Sequence, residues 1–239
     1  MRAIFGFLLL ALLQNLAAAP NDSPGPPTTN IAASNVISAP PPPIRPSAIL
    51  QQMTVLFDGK TLDGWEYNSN AWTIVDRAMH GTGKGGNIFT RRDYGDFRLI
   101  VTSRVASPEG NPGRDHLGVL FWGEHSTNFG TGKALQVQPP HGAMWDYRTN
   151  KGLRPEHPTP RPRPRYQDWH VCEILAKRDT GEVRAAVDGV EITTYRHPDP
   201  TVLKRGPIGM QIHSSVGVFE YKDIKVEENP TENRLITVN

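Results

Sequence analysis

The chain has 239 residues with a formal charge of +2, and 21% of its residues are charged against 37% hydrophobic. That balance excludes a basic protein built to coat nucleic acid and an acidic disordered one. Its single cysteine, Cys172, excludes an intrachain disulfide and a cysteine-based zinc site.

Arg2 precedes an apolar run from Ala3 to Leu13, and Ala17-Ala18-Ala19 supplies a small-residue cleavage pattern, so residues 1–19 read as a secretory signal peptide. About a dozen apolar residues fall short of the ~20 that cross a bilayer. No membrane span is expected, and the location implied is secreted or periplasmic. Residues 20–52 are rich in Pro, Ser, Asn and Ala and include Pro40-Pro41-Pro42-Pro43. They read as a disordered, extended linker that packs against nothing. Asn21-Asp22-Ser23 is an N-glycosylation sequon.

From Met53 onward the apolar runs are short, β-branched or aromatic, and bounded by Gly, Pro, Asn or Asp. The pattern predicts strands over Trp72–Val75, Phe97–Val105, Leu117–Trp122, Leu135–Gln138 and Trp169–Ala176. Further strands are predicted over Glu182–Val187, Glu191–Tyr195, Ile208–His213 and Val216–Val226. Asp188-Gly189 is a two-residue hairpin turn, because a type I′ turn needs positive φ at both positions. No helical stripe persists through three turns, so the fold expected is an all-β antiparallel sandwich or barrel. It forms a single domain over residues 53–228, with 229–239 as a C-terminal tail. Gly81-Thr82-Gly83-Lys84-Gly85-Gly86 lacks the spacing and the Ser/Thr of a phosphate loop and reads as an inter-strand loop.

The stretch Leu56-Phe57-Asp58-Gly59-Lys60-Thr61-Leu62-Asp63-Gly64-Trp65 resembles the opening signature of the 3-keto-disaccharide hydrolase domain family. Further landmarks follow in the family's order: Trp72, Gly86-Asn87-Ile88-Phe89-Thr90, Tyr94-Gly95-Asp96-Phe97, Asp168-Trp169-His170 and Val187-Asp188-Gly189-Val190. Gly206-Pro207-Ile208-Gly209-Met210-Gln211 and Phe219–Val226 resemble its closing strands. The resemblance implies a concanavalin A-like β-sandwich (jelly roll). The chain departs from the family where Asn-Ser-Gly is replaced by His116-Leu117-Gly118 and the following Arg by Trp122. In the family's Glu-X-Gln-X-X-Asp, Gln136 is kept while Ala134 and Pro139 replace the acids.

Strand alternation groups Gly118, Leu120 and Trp122 on one face, Gln136 with Gln138, and Gln211 with His213. On a shared face these make a polar groove with Trp122 as an aromatic wall; the alternative is an ordinary solvated sheet face. His141, Trp145, Asp146 and Tyr147 follow in a predicted loop. Rings beside a carboxylate and an imidazole suit a sugar's C–H faces and hydroxyls, although Trp145 and Tyr147 would also serve to pin the loop.

A standard glycosidase needs two carboxylates roughly 5–10 Å apart, and only Glu124 and Asp146 qualify here. A 3-keto sugar allows another route, in which one base removes the proton beside the ketone, the C1 group leaves and water adds. The residues assigned are His213 or His141 as base, Asp146 or Glu124 as proton donor, and Gln136 and Gln211 as hydrogen-bonders to the enolate or hydroxyls. Trp122, Gln138, Trp145 and Tyr147 complete the substrate contacts. No cofactor is required by the sequence; a divalent cation held by loop oxygens is an allowed addition without a diagnostic ligand set. The partner expected is an oligosaccharide or glycoside. The basic Arg154–Arg165 loop has no DNA-reading helix or RNA-binding aromatic motif beside it, so nucleic acid is not expected. Two other classes stay open: a non-catalytic, lectin-like carbohydrate-binding module, and a secreted interaction domain with no sugar site.

Overall fold

The computed structural model describes residues 47–83, 85–107, 116–126, 128–159, 165–214 and 216–238. The expected signal peptide, the sequon, most of the expected linker and the centre of the Arg/Pro loop lie outside these residues.

The described residues form one α-helix, α1 (Ala48–Gln52), two short 3-10 helices (Arg178–Thr180 and Pro200–Val202) and fifteen strands. The first six strands are β1 (Thr54–Phe57), β2 (Trp65–Glu66), β3 (Trp72–Val75), β4 (Ala78–Thr82), β5 (Ile88–Tyr94) and β6 (Phe97–Val105). The middle of the chain contributes β7 (Val119–Phe121), β8 (Leu135–Gln138), β9 (Ala143–Asp146), β10 (Lys151–Gly152) and β11 (His170–Lys177). The last four are β12 (Glu182–Val187), β13 (Val190–Arg196), β14 (Gly206–Met210) and β15 (Val218–Glu228). They build two antiparallel sheets. One has the order β13-β12-β11-β6-β15-β4-β3, with β1 added to β15; the other runs β10-β9-β8-β7-β14-β5-β2. This is the expected antiparallel β-sandwich.

Apolar residues at alternate positions of both sheets meet between them. Leu99, Val101, Ile174 and Phe219 come from the eight-stranded sheet, and Val119, Phe121, Val137 and Met210 from the seven-stranded one. Cys172 is fully buried in this core, and burial drives its thiol pKa upward, so it is a packing residue. The Asp188-Gly189 hairpin forms as the turn chemistry requires, with φ of 50° and 82°.

Both ends of the expected domain extend further than composition indicates. Ser47 caps α1, its hydroxyl accepting from Leu50 N at 3.0 Å, so the last residues of the expected linker are ordered. Ile49 and Leu50 pack on Met53, Ile100, Val171 and Ile236, on the outer face of the eight-stranded sheet. The expected tail returns over the same face and buries Leu235 and Ile236. Its anchor is Glu173, fully buried, whose carboxylate accepts from Ile236 N at 2.9 Å, Thr237 N at 2.8 Å and Thr237 Oγ1 at 2.7 Å. Arg98, equally buried, pairs with Glu173 at 2.9 Å and donates to the Arg234 carbonyl at 2.8 Å.

Candidate functional site

The site is built on the outer face of the seven-stranded sheet, the side turned away from the core. Register places Leu120 of β7 opposite Gln136 of β8, and Gln136 opposite Trp145 of β9. Because Val119, Val137 and Met144 point to the core, Leu120, Gln136 and Trp145 point outward together. Beyond the end of β14, Gln211 joins them, its backbone N–H donating to the Gly118 carbonyl at 3.0 Å.

Three glutamines form a ladder across this face. Gln138 Nε2 donates to Gln136 Oε1 at 2.7 Å, and Gln136 Nε2 donates to Gln211 Oε1. Gln211 Nε2 donates to the Tyr147 hydroxyl oxygen at 3.1 Å. At the other end His141 Nε2 lies 3.1 Å from Gln138 Oε1, and the Tyr166 hydroxyl lies 3.2 Å from His141 Nδ1. Gln136 has no exposed surface although it faces away from the core. Gly118 makes room for its amide: a Cβ there would stand 2.3 Å from Gln136 Nε2 and 2.7 Å from Gln211 Oε1.

Three imidazoles gather beside the ladder. His116 and His213 stack with ring centroids 3.8 Å apart, and His116 meets His141 edge-on at 5.6 Å. All three are partly exposed. His116 Nδ1 lies 3.0 Å from the Leu117 carbonyl oxygen, an acceptor, which puts a proton on Nδ1. Trp145 and Tyr147, both partly exposed, stand 6.3 Å apart at 48°. The Trp145 indole nitrogen is buried with no hydrogen-bond partner among the described residues. Burial is the largest influence on the Tyr147 phenol and raises its pKa against the opposing hydrogen bonds from Gln211 and Gln136.

The structure therefore gathers Gln136, Gln138, His141, Trp145, Tyr147, Gln211 and His213, and it places three other sequence candidates elsewhere. Trp122 is not an aromatic wall. Its φ of 56° breaks the strand alternation and turns the ring into the core against Phe97 and Phe121, with its indole N–H donating to the Gly95 carbonyl at 2.7 Å. The outer face beside the ladder instead carries an apolar patch of Phe89, Leu120 and Ala134, with Tyr147 against it.

Asp146 is not at the site either. Residues 143–146 form strand β9 rather than a loop, so Asp146 points away from Trp145. It binds Arg148 at 3.0 Å, and its other oxygen lies 3.9 Å from His197 Nε2. Burial pushes the Asp146 carboxyl up, but the Arg148 hydrogen bonds and charge outweigh this and hold it below the usual range. Glu124 is exposed on the loop after β7, 2.6 Å from Lys204 Nζ and 3.7 Å from Lys133 Nζ. Its hydrogen bond to Lys204, then the charges of Lys133 and Lys204, lower its pKa. Neither acid is set to donate a proton on this face.

Three contributors were not singled out from the sequence. His116 carried a signal, since it stands where the family has Asn. Tyr166 carried none, because it reaches the site from the far end of the Arg/Pro loop. Tyr221 of β15 reads as an ordinary core aromatic. Among the described residues, no group of three or more His, Cys, Asp or Glu side chains is arranged to hold a metal ion. No helix there is long and apolar enough to cross a membrane.

Fold and site define a jelly-roll sandwich with a polar and aromatic patch on one outer sheet face. The chain belongs to the 3-keto-alpha-glucoside-1,2-lyase-like domain family, whose model matches residues 52–227. The family description makes it a carbohydrate-active domain, and the solved structures share its jelly-roll fold. Among solved structures, a candidate glycosyl hydrolase from Parabacteroides distasonis is 17% identical with a TM-score of 0.57, covering 77% of this chain and 98% of that one. A second from the same organism is 22% identical with a TM-score of 0.51, covering 74% and 83%. The carbohydrate binding module CBM66 from Bacillus subtilis is 14% identical with a TM-score of 0.51, covering 69% and 96%. At these identities the likeness is one of fold. No curated protein matches the chain.

Proposed function

We propose that this domain is a secreted or periplasmic hydrolase of 3-keto glycosides, acting by elimination and hydration at the glycosidic bond. The observation that carries the reading is the convergence of His116, His141 and His213 beside a buried glutamine ladder and the Trp145–Tyr147 pair. A ketone acidifies the hydrogen on the neighbouring carbon, so a single base suffices where a standard glycosidase needs two acids. His213 takes that proton. The electron pair forms the new double bond as the C1 substituent departs with its bonding pair and takes up the proton that His213 has gained, and water then adds across the enone. His141, held between Gln138 and Tyr166, positions the ladder rather than reacting. Trp145 and Tyr147 offer rings to the apolar faces of the sugar. The export step rests on the leader-like residues 1–19.

The test is turnover of 3-keto and ordinary disaccharides by the whole chain, with and without chelator. His213→Ala is expected to lower turnover of the 3-keto sugar by roughly 10²-fold or more. A second reading, a non-catalytic carbohydrate-binding module, is favoured by the placement of Asp146 and Glu124 away from the face. It predicts sugar binding that is lost on Trp145→Ala, with no turnover by the wild type.

A further inference from the structure

The glutamine ladder has a direction. A carboxamide offers an acceptor at one end and a donor at the other, so a residue that accepts from one neighbour gives to the next. Gln138, Gln136 and Gln211 each receive at Oε1 from the residue before and give from Nε2 to the residue after. A neutral imidazole that donates from Nε2 to Gln138 accepts at Nδ1, which is where the Tyr166 hydroxyl sits. The polarity is thus consistent from Tyr166 to Tyr147, through five links.

At the far end the Tyr147 oxygen is an acceptor for Gln211, so its own O–H must point elsewhere. Tyr147 is partly exposed beside Trp145, on the side open to a ligand. Turning one amide would set two acceptors or two donors face to face within a buried chain. The direction therefore changes only if all three amides turn together.

We propose that the Tyr166–His141–Gln138–Gln136–Gln211 chain is a one-way relay that makes the Tyr147 hydroxyl a hydrogen-bond donor to an oxygen of the bound sugar. Tyr147 is then a catalytic residue in contact with the ligand, supplying the stabilisation that neither Asp146 nor Glu124 is placed to give. Gln138, Gln136, Gln211 and His141 are positioning residues that act through it. The assignment rests on the reading that this face takes a sugar. Burial keeps the phenol protonated, which a donor requires.

The experiment uses the whole chain labelled with 13C-tyrosine, with Tyr147→Phe assigning the Tyr147 resonance. Gln138→Met breaks the relay three links from Tyr147 at nearly constant volume, and Gln138→Leu is the second variant if that one fails to fold. The relay predicts that Gln138→Met moves the Tyr147 titration upward, although the two residues do not touch. Turnover of a 3-keto glucoside is expected to fall roughly 10²-fold in Tyr147→Phe, and Gln138→Met added to Tyr147→Phe is expected to cause no further loss. An unmoved Tyr147 titration, losses that multiply, or a Tyr147→Phe protein within twofold of wild type overturns the proposal. Absence of turnover in the wild type would sink the hydrolase reading alone, since the titration still decides the relay.

Discussion

The hydroxyl of Tyr221, on β15, reaches across the sandwich and donates to the Gln211 carbonyl oxygen at 2.8 Å. The Tyr221 hydroxyl oxygen in turn accepts from the Gly118 backbone N–H at 3.3 Å. A fully buried phenol of one sheet thereby fixes the backbone at two positions that carry the site on the other, and burial drives its pKa far up. Tyr221→Phe is expected to leave these buried groups short of a partner and to cost about 1–3 kcal/mol in denaturant unfolding. Sugar affinity or turnover should fall with it, because the ladder loses its fixed anchor at Gln211.

Gly118 gives a sharper local test. In Gly118→Ala the new Cβ meets both Gln136 and Gln211 amides, and Gln136 has no exposed side toward which to move. The expected result is a folded protein with a broken ladder, and loss of function at least as large as that of Tyr147→Phe. Far-ultraviolet circular dichroism checks the fold, and sugar binding checks the site.

His170 links the hairpin turn to the Arg/Pro loop, and the link is pH-dependent. Its Nδ1 lies 2.7 Å from Asp188 Oδ2 and its Nε2 2.8 Å from the Arg165 carbonyl oxygen. Burial lowers its pKa, but the Asp188 hydrogen bond, the Arg165 hydrogen bond and the charges of Asp188 and Asp168 together raise it above the ordinary histidine value. The folded state thus holds the proton more tightly than the unfolded chain. This stabilisation is complete below the ordinary value of about 6.5 and is lost as pH rises through the raised folded value. His170→Gln should flatten the stability–pH curve over that window, measured as denaturation midpoints across neutral pH.

Glu173 closes the C-terminal strap. Glu173→Ala leaves Arg98 buried without this carboxylate and strands the Ile236 and Thr237 amides. Removing one partner of a buried pair costs about 3–5 kcal/mol, so a large fall in the unfolding midpoint is expected. Proteolytic nicking near residue 236 should become faster than in the wild type.

The sequence by itself determined the class of fold and most of its strands. Short β-branched runs bounded by turn residues, with the Asp188-Gly189 turn, narrow the fold to an antiparallel sandwich or barrel, because each signal is local and periodic, and the family resemblance selects the sandwich. It also placed Gln136, Gln211 and His213 on faces by alternation alone. Trp122 and Asp146 needed the tertiary structure: a positive φ at one and an unrecognised strand at the other reversed the direction each side chain takes. Ser47–Gln52 and residues 229–238 are polar or Pro-flanked, yet they are ordered because a sheet face and a buried Arg98–Glu173 pair wait for them. The meeting of His116, His141, Tyr166 and Tyr221 at one site depends on which strands and loops become neighbours. That is a property of long-range packing, and no local pattern in the chain encodes it.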